Sequence, residues 1–396
     1  MNMDDKFYIE INCKQKNHDG ERICGDVFLS HRLNKENRVI AVLSDGMGHG
    51  VKANVLATLS ATMALNFTKE HKDFNKIAEI IMKTLPVCSE RKISYSTFTI
   101  IDIENDGKTS ILEYDNPECI ILRGTKIFHP EWHCLILDNE NKSRKELRSC
   151  SFYPQKEDRI IFYSDGVSQS GMGKENYLFG WGDDNVKSFI KNVVRNDNFV
   201  SAFKLADKVV NRANLNDNFH LKDDTSCAVI YYREPRKLLI CTGPPYEKNN
   251  DKKLAEIVKS FNGKKIICGA TTSDIISREL NYEIEDSFEF EDDDLPPISY
   301  MQNIDLVTEG ILTLGKVTEI LKVYNNNYIL GKGPADRIVK LLKESDQISF
   351  VIGTRINIAH QDPSLPVELE IRRTVVKRIA KLLETRFLKL VDLRFI

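Results

Sequence analysis

Apolar positions along the first 235 residues follow two periods. Short runs rich in Val, Ile, Phe and Tyr, separated by polar breaks, predict strands. They include FYIEINCKQ from Phe7, CGDVFLSHRL from Cys24 and NRVIAVLSD from Asn37. STFTIIDIE, TSILEYDN, CIILRGTKIF and RIIFYSDGV follow as further strands, with Asn105-Asp106-Gly107 as a turn between the first two. DDTSCAVIYYRE closes the series. Helical periodicity intervenes over 51–68, where Val55, Leu59, Met63 and Phe67 recur at spacing four and are expected to face the core. It returns over 75–85, 186–194 and 202–214. Many antiparallel strands with a few amphipathic helices predict a layered α+β domain, sheets inside and helices outside.

The texture changes at Glu234-Pro235-Arg236. Beyond it, strand and helix alternate. KLLICTGPP precedes a helix over 252–261, KKIICGATTSD one over 275–280 and IDLVTEGILTL one over 316–323. ADRIVKLLKESD is helical, QISFVIGTRINI is a strand, and a last helix spans 366–384. This predicts domains 1–235 and 236–396, the second a smaller α/β domain. Its last helix carries Val376, Ile379, Leu383 and Phe387 on one stripe, expected to pack on its own domain. Residues 283–294 hold eight acidic residues in twelve and predict a solvated loop.

Composition narrows the class. Hydrophobic residues make up 41% of 396, enough for real cores. The net charge of −2 gives no bulk attraction to nucleic acid or anionic membrane. The N-terminal stretch lacks a basic start followed by an apolar run, and no apolar run approaches the ~20 residues that span a bilayer. The expectation is a cytoplasmic protein that engages no membrane. None of the nine cysteines is spaced C-x-x-C, so they are expected to be reduced and mostly buried rather than a zinc knuckle.

Chemistry gathers at strand ends. AVLSDGMG delivers Asp45, IIFYSDGV delivers Asp165, and LKDDTSCAVI carries Asp223 and Asp224; Asp26 opens another strand. Clustered carboxylates raise each other's pKa unless cations lie between them. Mg²⁺ and Mn²⁺ take such oxygen ligands. A glycine beside an aspartate lets the backbone come close enough for its carbonyl to join.

Taken in order, CGDVF, LSDGMGHG, YDNPECIILRG, IIFYSDGV and KDDTSCAVI resemble the metal-dependent Ser/Thr phosphatases of the protein phosphatase 2C (PPM) superfamily. They are most similar to the bacterial branch typified by the sporulation protein SpoIIE. The resemblance covers about residues 7–233. It implies a sandwich of two antiparallel sheets flanked by helices, and hydrolysis of phosphoserine or phosphothreonine by a metal-activated water in bacterial signalling. It implies that Asp45 bridges two Mn²⁺ or Mg²⁺ ions, with the Gly46 carbonyl, Asp165 and Asp223 as further ligands and Asp26 in contact through water. Asp224 then stands behind the ligands. Where relatives carry a proton-donating His, this chain has Met47, so His49 becomes a candidate donor. Arg22 becomes a candidate for gripping phosphate. The helices after DGMGHG would regulate the metal loop. The expected partner is a phosphorylated protein. A small ligand or regulator at the second domain is suggested by Gly and Thr at its strand ends. The alternative is a catalytically weak, phosphatase-fold sensor or partner-binding module.

Overall fold

The computed structural model describes residues 7–33, 36–70, 74–84, 96–138, 144–287, 291–292, 294–325, 328–355, 366–387 and 389–396. The chain divides into two compact units, Met1–Glu234 and Pro235–Ile396.

The first unit begins with β1 (Tyr8–Lys16), β2 (Val27–Leu33), β3 (Arg38–Gly46), α1 (Gly50–Lys69) and α2 (Phe74–Thr84). It continues with β4 (Ser96–Ile103), β5 (Thr109–Tyr114), β6 (Ile120–Arg123), β7 (Lys126–Ile127), β8 (His133–Asp138) and β9 (Arg144–Phe152). β10 (Asp158–Tyr163), α3 (Asp165–Ser168), α4 (Asp183–Asn196), α5 (Ala202–Asn216) and β11 (Thr225–Arg233) complete it. Among the described residues the strands form two antiparallel sheets, in the orders β1-β11-β10-β6-β7 and β2-β3-β4-β5-β9-β8. Alternation decides the layers. Leu43, Ile101, Ile111, Ile160, Phe162 and Ile230 meet between the sheets. The opposite faces pack on helices: Val42, Ile100 and Leu112 on α1 and α2, and Ile161, Tyr163 and Val229 on α4 and α5. The result is a helix–sheet–sheet–helix stack.

α1 turns the other way from the expected stripe. Val55 and Leu59 are 59% and 45% exposed, while Ala53, Ala57, Ala61 and Ala64 are buried. Ala53, Ala57 and Ala61 also recur at spacing four, with Ala64 three further on, and their small size lets the helix lie close on the sheet. Met63 and Phe67 are half-buried at the border. In the predicted second helix, Leu85 lies outside the described residues, as does Cys88. Of the described cysteines, Cys119, Cys150, Cys227, Cys241 and Cys268 are buried, Cys13 and Cys24 are half-buried, and Cys134 is exposed; all are free thiols.

The second unit runs β12 (Lys237–Thr242), α6 (Asp251–Ser260), β13 (Lys264–Cys268), α7 (Ala270–Leu280), β14 (Ile284–Asp286), β15 (Ser299–Met301) and β16 (Ile304–Thr308). α8 (Ile311–Val323), α9 (Pro334–Glu344), β17 (Gln347–Ile352), α10 (Pro366–Phe387) and β18 (Leu390–Phe395) follow. The sheet order is β14-β15-β16-β13-β12-β17-β18; β16 through β18 pair in parallel, and β14 and β15 add an antiparallel edge. Helical crossovers explain the parallel pairing. Leu239, Cys241 and Ile267 face α6 and α7, whereas Leu238, Ile240 and Ile266 face α8, α9 and α10. Both faces are covered, so these strands read as continuous apolar runs. Val376, Ile379 and Leu383 of α10 are buried in this core, with Phe387 packed against it. The acidic stretch is less open than its composition implies. Residues 284–286 form β14, and Asp292 pairs with Lys316 at 2.8 Å, which holds its carboxyl below the ordinary range. Glu291 pairs with Arg337 at 2.7 Å. Residues 288–290 and 293 of that stretch lie outside the described residues. Among the described residues no helix is long and apolar enough to cross a membrane.

Candidate metal centre

The open end of the two-sheet sandwich holds the carboxylates. Asp45 is the next-to-last residue of β3, and Asp165 opens α3 directly after β10. Asp223 and Asp224 precede β11, and Asp26 precedes β2. Hydrogen bonding joins β10 to β11 and β2 to β3, so each sheet brings two of these ends together.

Glycines allow the crowding. A Cβ on Gly46 would lie 2.1 Å from the Ala53 carbonyl oxygen, which seats the turn directly on α1. On Gly166 it would lie 2.2 Å from the Asp224 carbonyl oxygen, and on Gly25 2.6 Å from Asp224 Oδ2. No side chain fits at any of the three positions. Gly48 and Gly50, with φ of +93° and +70°, then bend the chain into α1.

Polar residues fix the deeper acids. Ser164 Oγ donates to Asp26 Oδ2 at 2.8 Å and accepts from the Ser226 N–H at 3.0 Å. The His18 N–H donates to Asp224 Oδ1 at 3.0 Å. Gln169 Nε2 donates to Asp165 Oδ2 at 2.7 Å, and the Asp224 N–H to Asp223 Oδ1 at 2.8 Å. Three buried oxygens remain without a partner among the described residues: Asp26 Oδ1, Asp165 Oδ1 and Asp224 Oδ2.

The electrostatics follow from this packing. Burial, then the charges of Asp26, Asp165 and Asp223, push the Asp45 carboxyl well above its ordinary value. Asp45 and Asp165 lie within hydrogen-bonding reach of each other. Burial raises Asp165 and Asp26 as well, and carries Asp223 to about 6, helped by Asp165. Such a cluster favours either protons or cations.

The donor set is carboxylate oxygen plus a glycine carbonyl, the chemistry of hard divalent ions. With the partnerless oxygens, it fits Mn²⁺ or Mg²⁺. Among the described residues, however, no group of three or more His, Cys, Asp or Glu side chains is placed to hold a metal ion as it stands. The centre is therefore matched in chemistry without being a closed shell.

Asp45, Asp165 and Asp223 line one side of a cleft of ≈ 650 Å³. The opposite wall is built by sheet register. Leu43 pairs with Thr99, Thr99 with Glu113, and Glu113 with Arg148, so β5 and β9 present Glu113 and Arg148 on the face that carries Asp45. A family model described as stage II sporulation protein E (SpoIIE) matches residues 35–233. The chain belongs to the SpoIIE family.

Three solved structures are similar to this SpoIIE-family chain. The phosphatase domain of the cell fate determinant SpoIIE from Bacillus subtilis is 18% identical with a TM-score of 0.44, covering 58% of this chain and 94% of that one. The PP2C phosphatase domain of SpoIIE from Bacillus subtilis with a fragment of its regulatory domain is 19% identical with a TM-score of 0.46, covering 57% and 64%. RsbX in complex with magnesium is 17% identical with a TM-score of 0.40, covering 57% and 95%. No curated protein is matched.

In this SpoIIE-family site, Asp26 and Asp224 are buried and do not line the cleft, and two further sequence candidates stand apart from it. Arg22 is exposed and does not line it. His49, the N-cap of α1, does not line it either; its Nδ1 lies 2.7 Å from Glu21 Oε1, and its ring stacks on His18 at 4.5 Å. Met47 does line the cleft. Among the described residues the cation that lines it is Arg148, which sequence reasoning missed. Its guanidinium lies 4.7 Å from the Trp132 ring centre and 3.6 Å from Glu118.

Proposed function

We propose that residues 1–235 form a divalent-metal-dependent phosphoprotein phosphatase acting on phosphoserine or phosphothreonine in bacterial cytoplasmic signalling. Residues 236–396 would form a regulatory or ligand-binding domain. The observation that supports this most is the convergence of Asp26, Asp45, Asp165 and Asp223, with oxygens left unpartnered, beside an open cleft. Family membership supports the same reading.

On this reading Asp45, Asp165, Asp223 and the Gly46 carbonyl hold two Mn²⁺ or Mg²⁺ ions, with Asp26 and Asp224 behind them. Bound there, the ions supply Lewis acidity and a water of lowered pKa. The chain's own residues position the reaction. Gly46, pressed on Ala53, fixes the direction of its carbonyl. Ser164 holds Asp26 and leaves one of its oxygens free. Thr97 and Asn116, hydrogen-bonded to each other, form the cleft wall beside Asp45. His49 already faces Glu21 and stands outside the cleft, so the geometry favours water over His49 as proton donor to the leaving oxygen.

The second reading, a phosphatase-fold binding module, is favoured by the lack of a ready-made metal group among the described residues. Hydrolysis of para-nitrophenyl phosphate and of a phosphoserine peptide, with and without Mn²⁺, separates the two. Metal-dependent turnover should fall at least ~10³-fold in Asp45→Ala. Turnover unchanged without Mn²⁺, or a variant within tenfold of the parent, defeats the metal-dependent reading of this site. Mn²⁺ binding by calorimetry without turnover favours the module.

A further inference from the structure

In the second unit, adjacent parallel strands send their following helices to opposite faces at two places. α6 and α10 diverge after β12 and β17, and α7 and α8 diverge after β13 and β16. In open α/β sheets, the carboxyl ends of strands at such points are where ligands bind. The β12–β17 point is filled. A Cβ on Gly353 would lie 2.1 Å from the Pro244 carbonyl oxygen, and one on Gly243 2.6 Å from the Arg372 guanidinium.

The β13–β16 point is less crowded. Gly269 has φ of +110°, and a Cβ there would meet nothing nearer than Thr272 Oγ1 at 3.6 Å and Gly310 Cα at 3.8 Å. α7 begins here with no side-chain cap and no acidic residue in its first turn. Its N-terminal partial positive charge is therefore unanswered by its own side chains. Independently, Thr272 is 1% exposed and its hydroxyl, beside Gly269, has no hydrogen-bond partner among the described residues. A buried hydroxyl without a partner is costly unless a ligand supplies one. Beside it, Thr313 Oγ1 at the start of α8 is likewise buried without a partner among the described residues, but there a carboxylate already stands, with Glu309 Oε2 3.4 Å from the Thr313 N–H, and repels an anion. Hence the anion belongs to α7.

We propose that the adjoining carboxyl ends of β13 and β16, at Gly269 and Gly310, bind the phosphate group of a small molecule, held by the α7 N-terminus and the Thr272 hydroxyl. A phosphate has oxygens enough to accept from both at once. This site is independent of the phosphatase reading, because it shares no residue with the candidate metal centre.

The test is calorimetric titration of the full chain with inorganic phosphate and, separately, adenosine 5′-monophosphate. EDTA is present throughout, so that metal in the first unit takes no part. At least one probe should bind with Kd below ~1 mM. The tighter of the two distinguishes free phosphate from a phosphate ester. Ala270→Asp puts a carboxylate on an exposed first helical position, which suits the helix but should weaken binding at least ~10-fold by repulsion. Thr272→Val keeps the shape and should weaken it ~5-fold. Circular dichroism confirms that both variants are folded. The proposal is overturned if neither probe binds at ~10 mM, or if folded Ala270→Asp binds as tightly as the parent.

Discussion

Both units place glycines at the ends of their strands and use them in opposite ways. In the first unit Gly25, Gly46 and Gly166 adjoin Asp26, Asp45 and Asp165, and a Cβ on each would meet a neighbour at 2.6, 2.1 and 2.2 Å. There glycine draws backbones together and crowds carboxylates. In the second unit Gly243 and Gly353 are crowded as well, but at the ends of β13 and β16 a Cβ on Gly310 or Gly269 would meet its nearest neighbour at 3.4 or 3.6 Å. There glycine leaves two strand ends in ordinary contact, without crowding. Sheet type accounts for the difference. Antiparallel pairing brings strand ends and strand starts to one rim, where their side chains meet, whereas parallel strands all run into helices that deliver N–H groups to one edge. One end asks for cations and the other for anions.

The hardest way to break this comparison is to add the missing methyl in both places. Gly46→Ala forces a carbon against the backbone of α1, and should cost about 3 kcal/mol or more in urea unfolding of the first unit. Gly310→Ala needs a neighbour to give by only a few tenths of an ångström, and should cost about 1 kcal/mol or less. Equal losses would dissolve the distinction between crowded and uncrowded glycines.

A second effect, about 1–2 kcal/mol, tests the crowding of charge. The Asp45 carboxyl is raised in the folded protein by burial and by Asp26, Asp165 and Asp223. A carboxyl whose folded pKa exceeds its unfolded value binds more protons folded than unfolded between the two. Its contribution to stability is full below the unfolded pKa, near 4, and is lost as pH rises through the folded one. For Asp223 the folded value is about 6, so the window runs from about 4 to 6 and, with Asp45, higher. In EDTA, Asp45→Asn should therefore be more stable than the parent at pH 7.5, the gain fading toward pH 4. Mn²⁺ should raise the melting temperature of the parent much more than that of the variant. A variant less stable at pH 7.5 in EDTA would show that the carboxylates do not repel there.

The acids were legible in the sequence because strand ends are local: an apolar run stopping at Ser-Asp-Gly marks its own position. The layered antiparallel domain was legible for the same reason. What escaped depended on distance along the chain. Arg148 reaches the cleft only through the pairing of β3, β4, β5 and β9, a register no single segment carries. β9 reads RKELRSCSF, too charged to signal a strand that borders a polar cleft. α1 was misjudged because large and small residues both recur at spacing four, and the close seat on Gly46 selects the small ones. In the second unit Gly269 and Thr272 could be seen as turn and helix-start residues. That Thr272 is buried beside Gly269, where α7 and α8 diverge, follows only from the packing of the two helices on opposite faces.

The smallest effect concerns a glycine that does neither job. Gly315 lies inside α8, and a Cβ there meets nothing within 4 Å. If glycine's value at Gly46 is close contact and at Gly269 an uncrowded meeting of two strand ends, Gly315, with open space around it, supplies neither, and only its backbone entropy counts. Gly315→Ala should then stabilise the second unit by about 0.5–1 kcal/mol, raising its unfolding midpoint in urea. Phosphate titration should be unchanged, since the residue lies a full turn beyond the α8 N-terminus. A loss of stability instead would mean that Gly315 serves a contact outside the fold of this unit, and that its two-way division of glycines is incomplete.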